Sequence, residues 1–216
     1  MCFYQAMHSL ESAKEALFQH LKTVIADKRV LEAFETVKRE DFVPAAYRDS
    51  SYADTPLPLG KRQTISQPTT VLLMTQFLQV KAGQKILEIG TGSGYQAAIL
   101  SHLVGPEGKV ISMEIIESLY RSGKKHLLDY SNATVLHIDG SQGYPPAAPY
   151  DRILMTAASP TLPTHLLSQL TKDGLLLAPV GSYPQRMMRF DKAGNAEDLG
   201  GFLFVPLTGK YGFKKR

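Results

Sequence analysis

Gly90, Gly92 and Gly94 alternate directly after the apolar run Lys85-Ile86-Leu87-Glu88-Ile89 and before Tyr95-Gln96-Ala97-Ala98-Ile99-Leu100. Strand, glycine turn and helix opening make the first crossover of an open α/β sheet, where a nucleotide-like cofactor sits at the carboxyl end of the strand. Glycine allows the sharp turn and the close approach of a ligand. The helix start offers N–H groups with no partner inside the helix. The spacing is Gly-x-Gly-x-Gly, not the Gly-x-Gly-x-x-Gly of dinucleotide binders. Carboxylates close the next two strands. Glu114 stands where an acidic side chain takes ribose hydroxyls. Asp139-Gly140 can meet an adenine edge, the aspartate accepting its amino group. Either acid alone could be a plain helix cap. Three such features at the ends of three successive strands favour a ligand.

Glu88 bears on the ligand's charge. Two residues before the first glycine, a carboxylate sits badly beside a pyrophosphate and well near a cation. S-adenosylmethionine has no phosphate and carries a sulfonium, so it is the expected cofactor in preference to a nicotinamide dinucleotide.

The elements that must hold these groups follow from periodicity. Apolar residues at 13, 16, 17, 21, 24 and 25 predict an amphipathic helix over 9–26. Asp27 then caps a second helix with Val30, Leu31, Phe34 and Val37 on one face, which ends at Asp41-Phe42-Val43-Pro44. Tyr52 to Gly60, with Pro56 and Pro58, reads as irregular, and a third helix runs to about Gln79. From there strands alternate with helices: strands at 85–89, 109–114, 133–138, 151–156 and 174–180, helices at 95–104, 116–129 and 162–170. Runs 185–191 and 198–207 around Lys192-Ala193-Gly194-Asn195 predict an antiparallel hairpin. The expected fold is α/β: a doubly wound, mostly parallel Rossmann-like sheet with N-terminal helices and a C-terminal antiparallel hairpin. Residues 1–216 form one expected domain, with 1–80 as N-terminal helices and substrate-side segment, 81–182 as cofactor-binding core, and 183–216 as hairpin and tail.

Composition narrows the function. The single cysteine, Cys2, rules out an internal disulfide and suggests a reducing compartment. Six histidines at 8, 20, 102, 126, 137 and 165 show no metal-ligand spacing, so no metal site is expected. No apolar stretch reaches membrane-spanning length and the start lacks a basic signal-peptide region, which implies a cytoplasmic protein with no membrane partner. A net charge of +4 is weak support for nucleic acid, because its only cluster is Lys214-Lys215-Arg216 near Lys210, read as a solvated tail. No nucleic-acid partner is expected, and a monomer is the default.

Glu88-Ile89-Gly90-Thr91-Gly92-Ser93-Gly94 resembles the first motif of the class I methyltransferases. Added to it are Tyr52-Ala53-Asp54, Pro56-Leu57-Pro58-Leu59-Gly60, Gln63-Thr64-Ile65-Ser66-Gln67-Pro68, Pro149-Tyr150-Asp151-Arg152-Ile153 and Phe204-Val205-Pro206-Leu207. Together, from about Asp27 to Thr208, they resemble the protein-L-isoaspartate O-methyltransferases. The resemblance implies transfer of a methyl group from S-adenosylmethionine to the free α-carboxylate of L-isoaspartyl residues in damaged proteins and peptides. It implies Ser66 in the active site, with cofactor contacts at Thr64, Ile65, the glycine turn, Glu114, Asp139-Gly140 and Thr208. Two positions depart from the family pattern: Arg62, where a small residue is common, and Thr69, where an aromatic or histidine follows the proline.

Position alone leaves Ser66 either capping the helix that begins near Gln67-Pro68 or holding a carboxylate oxygen with neighbouring N–H groups. The resemblance favours the second. A substrate carboxylate is already ionised at neutral pH, so no general base is required. Rival readings are a nucleic-acid or small-molecule methyltransferase on the same fold and a non-catalytic binding module. Against the first, the place after the fourth strand reads Thr156-Ala157-Ala158-Ser159-Pro160 and not the Asp/Asn-Pro-Pro-aromatic of amino-methylating enzymes.

Overall fold

The computed structural model describes the backbone of residues 2–214 and the side chains from Leu10 onward. Helices α1 (Cys2–Val24) and α2 (Lys28–Thr36) open the chain, and two short 3-10 turns lead into strands β1 (Leu57–Gly60) and β2 (Gln63–Ile65). Helix α3 (Pro68–Leu78) follows, then β3 (Lys85–Ile89), α4 (Tyr95–Val104), β4 (Lys109–Glu114), α5 (Glu117–His126), β5 (Ala133–His137) and β6 (Tyr150–Met155). The chain goes on through α6 (Thr164–Leu167), β7 (Leu170–Val180), β8 (Gln185–Asp191) and β9 (Ala196–Phe202).

Seven strands form one sheet in the order β5-β4-β3-β6-β7-β8-β9. Pairings from β5 through β7 are parallel, and those of β8 and β9 are antiparallel. The expected mostly parallel, doubly wound sheet with an antiparallel hairpin at its edge is therefore present. Chain direction across the sheet reverses beside β3, which neighbours β4 on one side and β6 on the other. A crevice opens at such a switch point because the connections leave in opposite directions.

The strand period of two sorts β3 between two apolar layers. Ile86 packs with Leu21, Phe34, Leu72 and Ile99 beneath the helices α1–α4. Leu87 and Ile89 pack on the other face with Ile153, Leu166, Leu176 and Phe190. Each fully buried side chain of this size contributes roughly 1.5–3 kcal/mol. Asp27 accepts the Arg29 N–H at 3.0 Å and so caps α2 as expected.

Four local readings are corrected. Residues 52–56 are irregular as expected, but Leu57–Gly60 is a strand. β1 pairs with β2 as a separate antiparallel hairpin whose tip is Lys61-Arg62. Both tip residues have positive φ, 53° and 59°, which Asn-Gly normally supplies, and Pro56 and Pro58 argue locally against a strand. Helix α6 is four residues long because Leu170 already pairs with Tyr150, so β7 starts earlier than Gly174. Helix α5 stops at His126, not 129. Strand β9 ends at Phe202, because the following chain leaves β8. Val205 O accepts from Ala158 N at 2.9 Å and Leu207 N donates to Ala158 O at 2.8 Å.

Candidate active site

The switch-point crevice holds an open cleft of about 870 Å³, counting its solvent-open mouth. It is walled by 63–66 at the hairpin's end, by Val71 and Met74 of α3, by the turns after β3, β4, β5 and β6, and by 205–208 beyond β9. Of the residues singled out from sequence, Thr64, Ile65, Ser66, Gly90, Gly92, Glu114, Gly140 and Thr208 all line it. Glu88, Gly94 and Asp139 do not.

The turn after β3 is tied on both sides. Gly90 has φ +102°, its N–H donates to Met113 O at 2.8 Å, and Thr156 Oγ1 donates to its carbonyl at 2.6 Å. A Cβ on Gly90 would lie 2.3 Å from Thr156 Oγ1, so only glycine fits here. Thr156 was not singled out from sequence. Its place one residue past β6, the strand beside β3, is the signal that could have found it. Gly94 serves packing, since a Cβ there would press on Gly123 O and Leu127 at 3.3 Å. Leu59 of β1 reaches over the turn, 3.7 Å from where a Gly92 Cβ would stand.

Glu114, 6% exposed at the end of β4, is held by two backbone donors. Oε2 accepts from Gly92 N and Oε1 from Ile116 N, each at 2.9 Å. Each carboxylate oxygen keeps a free lone pair, and the residue faces the cleft. Met113, Ile115 and Leu119 supply apolar wall beside it.

Glu88 is a correction to the reading that set it beside the cofactor's cation. It shares the Ile86 face of β3, is 0% exposed and lies under the glycine turn. It hydrogen-bonds Ser112, whose hydroxyl lies 2.6 Å from Thr91 Oγ1. Its Oε1 has no partner among the described residues. Burial pushes its carboxyl up to about 8, against the Ser112 hydrogen bond and with help from the Glu114 charge. At neutral pH it is mostly a neutral acid.

Asp139 is a second correction. Its Oδ1 accepts from Ser141 N at 2.9 Å and its Oδ2 from Lys210 N at 2.8 Å, so it ties the turn after β5 to the C-terminal segment. Burial raises its carboxyl, but the Lys210 and Ser141 hydrogen bonds outweigh that and hold it below the usual range. Gly140 and Ser141, not Asp139, face the cleft. Ser141 Oγ also accepts from Tyr211 N at 3.1 Å, and Tyr211 stacks on His165 with ring centres 4.1 Å apart. Nothing in the local sequence pointed to Ser141, because its hydroxyl is held by Tyr211 N, seventy residues downstream.

Ser66 is half-buried and precedes the N-cap of α3, which is Gln67. It does not hold the cap position itself. Tyr95, 1% exposed on the far wall, has the buried Arg39 guanidinium 5.1 Å from its ring centre, a cation–π contact that braces it.

Among the described lining residues there is no lysine, arginine or histidine, and Glu114 is the one carboxylate. A pyrophosphate would meet no countercharge there. A cationic adenosyl cofactor would meet a diol acceptor, apolar walls and a glycine turn, so the residues present fit S-adenosylmethionine. Sheet and cleft together are those of the class I S-adenosylmethionine-dependent methyltransferases. Residues 12–212 match the family model described as Protein-L-isoaspartate(D-aspartate) O-methyltransferase (PCMT). The chain belongs to that family. A protein-L-isoaspartate O-methyltransferase from Methanosarcina mazei is 42% identical over 211 residues, covering 95% of this chain and 87% of that one. A solved structure named protein-L-isoaspartate O-methyltransferase is 29% identical, with a TM-score of 0.81 over 92% of this chain and 67% of that one. A Plasmodium falciparum structure solved with S-adenosyl-L-homocysteine has a TM-score of 0.80 at 23% identity over 89% of this chain and 97% of that one, a likeness of fold. As a member of that family the chain is an S-adenosylmethionine-dependent methyltransferase.

Proposed function

We propose that this chain methylates the free α-carboxylate of L-isoaspartyl residues in damaged proteins and peptides, and that Ser66 holds that carboxylate. The carrying observation is the placement of Thr64-Ile65-Ser66 against the glycine turn in a cleft lined by neutral donors and no cationic side chain. S-adenosylmethionine supplies a methyl group on a cationic sulfur. Glu114 would hold its ribose hydroxyls, with Gly90, Gly92, Thr64, Ile65, Gly140 and Thr208 as the remaining contacts. Gly94, Glu88 and Asp139 support that site from behind.

The substrate carboxylate is ionised at neutral pH and attacks as it stands. This agrees with a cleft wall that offers no histidine or lysine as a base among the described residues. The chain's task is to strip water from the carboxylate without trapping it in a tight ion pair. A serine hydroxyl and backbone N–H groups hold one oxygen and leave the other free. The resulting methyl ester closes to a succinimide without the enzyme, the backbone amide nitrogen displacing methanol, and addition of water then returns some normal aspartate.

Residues 1–216 would work as one unit, since the substrate-side segment, the core and the tail each contribute to the cleft. We take the chain as a cytoplasmic monomer with no nucleic-acid or membrane partner; no helix of the described residues is long and apolar enough to cross a membrane. The test is transfer of labelled methyl from S-adenosylmethionine to an isoaspartyl peptide beside its aspartyl twin. Labelling of the isoaspartyl peptide alone is expected. Equal labelling of both, or of neither, refutes the assignment.

A further inference from the structure

We propose that Asp54 is a positioning residue for methyl transfer, fixing the direction of Ser66 by capping helix α3 from outside; this rests on the substrate role given to Ser66 above. The N-terminus of α3 does not cap itself. The Gln67 side chain at the N-cap accepts no backbone N–H of the helix, only the Thr70 hydroxyl at 3.4 Å, and Pro68 at the next position has no N–H. Asp54, fourteen residues before Pro68 in the chain, fills the gap. Its Oδ1 accepts from Thr69 N at 2.9 Å, and its Oδ2 accepts from Thr69 Oγ1 at 2.7 Å and from Gln67 Nε2 at 2.9 Å. One carboxylate therefore grips the chain on both sides of Pro68.

Ser66 lies between two fixed points. Before it, Ile65 is 3% exposed and paired with Leu57 in the hairpin. After it, Gln67 is held by Asp54. The far end of α3 is fixed too, with Arg152 Nε donating to Leu78 O at 2.7 Å, so the helix cannot slide to relieve a loosened cap. Asp54 is held in turn against α1, with His20 Nε2 4.0 Å from Oδ2. Burial raises its carboxyl, but the bonds from Thr69 and Gln67 and the nearby His20 outweigh that and keep it below the usual range. Thr69, which departs from the family pattern, supplies one of these bonds through its hydroxyl.

The test measures methylation of an isoaspartyl peptide by D54N, T69V and T69S, each in the native and the S66A background, with adenosylhomocysteine affinity by calorimetry. We expect D54N to lower kcat about 10- to 100-fold, the scale of a misplaced reacting group, with the adenosylhomocysteine Kd unchanged. T69V should lower kcat less, and T69S should stay near native. In the S66A background D54N should add less than about a twofold loss, because residues acting through one another are not additive. If D54N costs as much in S66A as in the native chain, or nothing in either, Asp54 does not act through Ser66 and the inference is overturned. If S66A alone keeps full activity, the Ser66 assignment itself falls and this inference goes with it. Should D54N fail to fold, the comparison of T69V with T69S decides on the same criterion of additivity.

Discussion

Replacing Glu114 by glutamine separates the clamp that the structure shows for this side chain from the ribose contact proposed for it. Its two oxygens accept from Gly92 N and Ile116 N, each at 2.9 Å, and at 6% exposure neither bond can be exchanged for water. Glutamine offers one oxygen and one NH2, so one backbone donor would face another donor. An unpaired buried donor costs about 1–3 kcal/mol, and that loss should appear as reduced stability of the free protein. Cofactor affinity falls for a different reason. Ribose hydroxyls would exchange hydrogen bonds to a charged acceptor for bonds to a neutral one, about 1 kcal/mol each. Two hydroxyls give roughly 2 kcal/mol, about a 30-fold weaker Kd. Calorimetric titration of adenosylhomocysteine and denaturant unfolding of the free protein measure the two effects separately. Turnover at saturating cofactor should change little, since Glu114 does not hold the substrate carboxylate. A fall in stability with an unchanged Kd would show that Glu114 only clamps the turn, and the ribose reading would be wrong.

Three further outcomes are expected. Ser66→Ala should lower kcat/KM for an isoaspartyl peptide by about 30- to 150-fold, the 2–3 kcal/mol of one preorganised donor, with adenosylhomocysteine affinity intact; unchanged turnover would return Ser66 to a purely structural place. Glu88→Gln should flatten the pH dependence of stability. The Glu88 pKa is raised to about 8 in the folded chain, so the folded state keeps a proton that the unfolded state releases, and stability falls as pH rises from about 4.5 to 8. If Glu88 is the source, the midpoints of variant and native protein should lie closest near pH 4.5 and separate as pH rises, the native chain losing stability that the variant keeps; parallel curves would acquit it. Gly90→Ala should destabilise well beyond Gly181→Ala. Both positions have positive φ, worth about 1–3 kcal/mol of strain, but only Gly90 also meets Thr156 Oγ1, whereas Gly181 faces open space. Similar unfolding midpoints for the two would show that Thr156 yields without cost.

What was legible in the sequence was what local pattern decides. β3, α4 and β4 start and stop at the residues predicted, because each pairs a mostly apolar run with a glycine or charged boundary. Ser66, Glu114 and the glycine turn meet in one cleft, as the crossover rule requires. The β1–β2 hairpin was not legible, because its tip, Lys61-Arg62, adopts a backbone that its residue types disfavour. Glu88 and Asp139 were read from their distance to the strand ends. Their surroundings depend on partners far along the chain: Ser112 for one, Lys210 for the other. No rule of spacing predicts that the first would lie sealed under the turn or that the second would be taken up by the tail.

That tail contact has a consequence for biosynthesis. The glycine turn and the acidic end of β4 leave the ribosome early, whereas the wall at 205–208 and the Lys210 N–H that Asp139 accepts come near the end of the chain. A nascent protein can therefore build most of its sheet and still lack one side of the cleft. With Thr208 as a cofactor contact, as proposed above, a polypeptide interrupted shortly before residue 205 should keep most of its sheet and yet bind the methyl donor more weakly.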